Sequence, residues 1–116
     1  MNALLRCHST CLSTVTMHCL EMGGEHARPQ HIRLMLDCAT ICAATADLLA
    51  HKSLIHNCVC APCADVCDVR EEDCARLREM EEFAVTCQRC AEICRDVACL
   101  DHAGILAMAS LRPSRR

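Results

Sequence analysis

The stretch Cys87-Gln88-Arg89-Cys90-Ala91-Glu92-Ile93-Cys94 spaces three thiols by three and then four residues. An α-helix advances about 100° per residue, so these steps return each thiol to one face. The same signature recurs upstream as Cys7/Cys11, Cys38-Ala39-Thr40-Ile41-Cys42 and Cys63-Ala64-Asp65-Val66-Cys67, with Cys60 extending the third pair. Each occurrence falls in its own segment rich in Ala, Leu, Met, Glu and Arg. These segments span roughly 2–22, 29–50, 54–78 and 81–102. Strand-like alternation is absent.

Gly23-Gly24 marks a stop, and Pro29 suits the first turn of the next helix. A second break falls near His51-Lys52-Ser53, with Ser53 as an N-cap. A third falls within Glu79 to Glu82. Connections this short make sequence neighbours antiparallel. The expected fold is all-α, an up-down-up-down four-helix bundle with a Cys-lined core. Pro62 removes a backbone donor, predicting a kink or a fresh helix start near residues 58–62. The bundle is expected over residues 1–102. Residues 103–116 read as a C-terminal extension or tail, ending in Arg112, Arg115 and Arg116.

Composition sharpens this reading. Of 116 residues 14 are Cys, with no Trp, no Tyr and the single Phe83. Small thiols therefore replace much of the usual aromatic core, at a cysteine content that marks a special class. A net charge of −3 supplies no basic field for a phosphate backbone. Stacking aromatics are missing too, so nucleic-acid binding is not expected. No apolar run approaches the ~20 residues of a membrane span. No signal peptide is recognised near Met1. The expectation is a soluble cytoplasmic protein whose cysteines stay reduced or bind metal rather than pair as disulfides.

Helical phase assigns the inward stripes. The first segment aligns Cys7, Cys11, His18 and Met22; the second His31, Met35, Cys38, Cys42 and Leu49. The third aligns Cys60, Cys63, Cys67 and Cys74, and the fourth Met80, Phe83, Cys87, Cys90, Cys94 and Ala98. Cys19, Cys58 and Cys99 fall off these faces; a kink at Pro62 would bring Cys58 inward. All fourteen cysteines, with His18, Met22, His31 and Met35, are carried as candidate metal ligands. The His and Met members gather at one end, the expected mouth for metal entry. His8, His26, His51, His56 and His102 read as surface or helix-end residues. The run Arg70-Glu71-Glu72-Asp73 reads as a solvated face, with Glu71 near the third stripe.

Soft thiolates select Cu(I), zinc or iron–sulfur units. Zinc favours closed sets of four ligands, and paired C-x2-C knuckles are missing. Cu(I) accepts two or three sulfurs, and each ion that displaces one thiol proton leaves the core neutral. Multiple Cu(I) per chain, on the order of ten, is the natural ceiling. An iron–sulfur or zinc redox protein remains an alternative, resting on Cys58, Cys60, Cys63 and Cys67. A thiol/disulfide-switch scaffold is another, although i,i+4 pairs rarely reach disulfide geometry. No nucleophile–base–orienter set stands out, so no enzyme is expected.

The repeated C-x-x-x-C pairs on four helices resemble the four-helix-bundle copper storage proteins over nearly the whole chain to about residue 102. The resemblance implies a Cys-lined bundle that stores many Cu(I) ions, a homo-oligomer (usually a homotetramer), and the cytosolic branch of the family. Met80 and Phe83 stand where a further Cys would be expected, which implies a lower capacity and a mouth partly plugged by Phe83.

Overall fold

A computed structural model describes residues 2–77 and 80–98. Helix α1 starts as Asn2–Thr14, passes through a π-helical turn at Val15–Cys19, and finishes at Leu20–Met22. Gly23 ends it at φ 68°, a conformation that glycine adopts without steric cost, and its amide donates to the Cys19 carbonyl at 3.2 Å. A 3-10 turn at Gly24–Ala27 leads to α2, Pro29–Ala50, with Pro29 in its first turn. Helix α3 spans His56–Ala75 and α4 spans Glu81–Ala98. No strand occurs among the described residues.

The four helices pack as an antiparallel bundle because each buries one stripe. In α2 that stripe is His31, Met35, Cys38, Cys42, Thr45 and Leu49. In α3 it is His56, Cys60, Cys63, Cys67, Arg70 and Cys74. Both advance by alternating steps of four and three, the spacing of a bundle seam. Leu4, Ala46, Leu49 and Val97 belong to the larger buried cluster and close the end at which α2 finishes. At the other end lies a second cluster of Val15, Cys19, Met35, Cys74, Leu77, Met80 and Ala84, with Phe83 against it.

Three local expectations need adjustment. Pro62 stands inside continuous α3 on its exposed side, and the helix starts at His56, two residues ahead of the expected restart. Ser53 caps the turn ahead of α3 and not the helix itself, accepting the Ile55 amide at 3.0 Å. The C-terminal extension (103–116) and Cys99 lie outside the described residues.

Candidate metal centre

The inward stripes bring sulfur atoms into a connected lattice. Cys7 Sγ lies 3.8 Å from both Cys38 and Cys87. Cys38 lies 3.8 Å from Cys67 and 4.0 Å from Cys42. Cys42 is the hub, at 3.8 Å from Cys63, 3.7 Å from Cys67 and 3.6 Å from Cys90. Two tetrads emerge, Cys7/Cys38/Cys42/Cys67 and Cys42/Cys63/Cys67/Cys90, each with all sulfurs within 4.8 Å of one another. A metal–thiolate bond of about 2.3 Å sets sulfurs about 3.8 Å apart around a tetrahedral ion and about 4.0 Å apart around a trigonal one. The lattice therefore has the edge length of a metal–thiolate cluster before any ion arrives.

All eleven cysteines on the expected stripes are buried, and Cys19 joins them as a twelfth. Cys19 and Met22 exchange the places that helical phase assigned to them. Cys19 is fully buried, whereas Met22 is exposed on the helix flank. The cause is the π turn at Val15–Cys19. It absorbs one extra residue, so the buried positions run 7, 11, 15 and 19 instead of drifting round the helix toward 18 and 22. His18 is left at an intermediate position, edge-on to His26 at 5.3 Å and 5.7 Å from Phe83. Cys58 is exposed and stands outside the sulfur lattice.

The second cluster mixes ligand types. Cys19 Sγ lies 3.1 Å from His31 Nε2. The opposite ring nitrogen, Nδ1, donates to the Asp73 carboxylate. This fixes the tautomer and aims the Nε2 lone pair at Cys19, the support commonly given to metal-binding histidines. Met35 Sδ lies 3.8 Å from Cys74 Sγ. Thiol, imidazole and carboxylate also stand here in the order used for nucleophilic catalysis, a set that sequence spacing did not reveal. Cys19 is 0% and His31 4% exposed, so the pair lies inside the bundle.

Arg70 departs most from expectation. It lies fully buried and not on a solvated face. Its Nε donates to Met35 Sδ at 3.1 Å, and its Nη1 donates to the Phe83 carbonyl at 3.1 Å and to Cys87 Sγ. His56 stands at a helix end, one of its two expected placements, but is buried there. Both could have been found: counting back from Cys60 by four and forward from Cys67 by three lands on them.

Burial and thiol–thiol contacts set the acid–base behaviour of the core. Cys60 and Cys74 are each pushed up to about 11 by loss of solvation. Cys19 is raised for the same reason. Within the lattice, Cys7 is pulled down by its neighbours Cys11 and Cys38, while Cys42 is pushed up, first by Cys38. Burial presses the Arg70 guanidinium downward, but Cys87, Cys11 and Cys74 outweigh it and hold the group charged.

A helical bundle lined with preformed sulfur tetrads defines a thiolate-based soft-metal carrier. The chain belongs to the copper storage protein family, whose family model matches residues 1–103. It is 32% identical over 102 residues to an uncharacterised cysteine-rich protein, YhjQ, of Bacillus subtilis strain 168, covering 84% of this chain and 92% of that one. Among solved structures it resembles the Nmul_A1745 protein of Nitrosospira multiformis, with a TM-score of 0.83 and 41% identity over 86% of this chain and 92% of the other. It also resembles the Cu(I)-bound copper storage protein BsCsp3, with a TM-score of 0.76 and 32% identity over 84% and 92% of the two chains. No helix among the described residues is long and apolar enough to cross a membrane.

Proposed function

We propose that this chain takes up and stores multiple Cu(I) ions on the cysteine thiolates inside its bundle. The observation that carries this reading is the hub geometry of Cys42, shared by both tetrads with sulfur neighbours at 3.6–3.8 Å. Soft sulfur donors suit Cu(I), and each arriving ion displaces a thiol proton, so a filled core need not accumulate charge. Before loading, the neutral thiols pack as small hydrophobes. The bundle therefore folds first and fills later, unlike domains that need their metal to fold.

The proposed ligands are the twelve buried cysteines, with His31 and Met35 at the mixed end. Cys58 and Met22, being exposed, are left out of the set. The role is storage and not turnover. A cytoplasmic homotetramer accompanies this reading through the family resemblance. Leu5, Leu12, Met17 and Leu20 are exposed along α1 and supply apolar surface for self-association.

Anaerobic titration of the reduced protein with Cu(I), against a competing chelator, tests the proposal. Tight uptake well beyond four equivalents is expected. Saturation at one or two ions, or an iron–sulfur absorption in the isolated protein, would overturn it.

A further inference from the structure

The buried stripe of α3 runs His56, Cys60, Cys63, Cys67, Arg70, Cys74. Where the spacing calls for another ligand between Cys67 and Cys74, the chain places a permanent cation. Its head group is tied to Met35 on α2 and to Phe83 and Cys87 on α4, so it reaches across the lumen to two other helices. The Nη2 atom is buried and has no hydrogen-bond partner among the described residues. Among the described residues no carboxylate hydrogen-bonds the guanidinium, so its charge is met by sulfur and carbonyl acceptors alone.

On one side of Arg70 lies the sulfur lattice around Cys42. On the other lies the mixed cluster containing Cys19, Met35, Cys74 and Met80, with His31 against Cys19. A cation moving between the two has to pass a fixed like charge in a weakly polarisable interior, where repulsion is many times its strength in water.

We propose that Arg70 is a retention bar: it divides the core into an outer mixed compartment and an inner thiolate store, and slows metal exchange between them. This rests on the storage reading above. Arg70 is not itself a ligand, and it hydrogen-bonds two of the proposed ligands, Met35 and Cys87, so its charge acts chiefly on the rate of exchange and little on the amount held. The divide also assigns the outer residues a task. Cys19 and His31, oriented by Asp73, receive an ion arriving from outside and hold it until it crosses.

The experiment compares the native chain with Arg70→Leu and Arg70→Lys, each loaded anaerobically with Cu(I) and then mixed with excess high-affinity chromogenic chelator. Leucine removes the charge and adds no metal ligand, and buried ionic groups are often replaced by apolar ones without loss of stability. The Leu variant should bind as many ions as the native chain, to within about one, and release them at least about tenfold faster. Lysine keeps the charge and should hold release within about threefold of native. Release from the Leu variant at or below the native rate overturns the bar. So does a Lys variant as fast as the Leu variant, since the effect would then be one of packing. If Arg70→Leu loses helical circular dichroism, Arg70→Gln takes its place in the same assay. A native chain that saturates at one or two ions defeats the storage reading itself, whereas full capacity with unchanged release defeats the bar alone.

Discussion

Cys19 Sγ and His31 Nε2 stand 3.1 Å apart, on the first and second helices, with Asp73 of the third holding the far side of the imidazole. Asp73→Asn keeps the shape but lets the ring turn and lowers its basicity. Loss of such a support typically weakens metal binding about 10–100-fold. The substitution should weaken the mixed site by that factor while total capacity stays within about one ion. Chelator competition at low loading, followed by full titration, separates the two effects.

Cys42 belongs to both tetrads, whereas Cys58 is exposed and belongs to neither. Cys42→Ala should therefore lower the Cu(I) capacity by about two ions and cost the empty protein roughly 1 kcal/mol, since little buried volume is removed. Cys58→Ala should leave capacity unchanged. In the native empty protein Cys58 should be the first of the described cysteines to react with iodoacetamide, because the other twelve are buried. Mass spectrometry after brief alkylation reads this directly.

The bundle and its eleven inward cysteines were legible because steps of three and four leave little freedom about which face a thiol occupies. The misreadings have two physical sources. One is the π turn at Val15–Cys19, which resets helical phase without a sequence mark, so that Cys19 turns in and Met22 out. The other is composition overruling position. Arg70 opens a run of four charged residues, and His56 sits beside a break between helices. Both looked solvent-facing even though the seam spacing of the third helix passes through them. The contact of His31 with Asp73, 42 residues apart, is tertiary and carries no local signal.

Raised thiols give the empty protein a defined alkaline limit. Cys60 and Cys74 move from 9.0 to about 11 on folding, so between these values the folded state holds protons that the unfolded chain has lost. Their contribution to stability is complete below about pH 9 and is lost as pH rises toward 11. The urea midpoint of the metal-free protein should fall across that window, with a total loss on the order of a few kcal/mol. Metal loading should flatten the dependence, because a thiolate bound to Cu(I) has already given up its proton. Chemical unfolding of both forms at several pH values provides the check.

The π turn makes the last prediction, one that a regular helix would not permit. Such a turn is an α-helix with one residue inserted, and Met17, the most exposed large apolar residue of the first helix, lies inside it. Removing Met17 should restore ordinary helical hydrogen bonding. Cys19 would then follow Cys11 by seven positions instead of eight, close to two full turns, and so stay on the inward face. The deletion should therefore leave Cys19 protected from alkylation and change stability by less than about 1 kcal/mol, with the sign favouring the regular helix. An exposed, rapidly alkylated Cys19 would mean that the π turn is needed to aim that sulfur at His31. Retained protection would mean that the insertion is tolerated while the i+7 relation does the aiming.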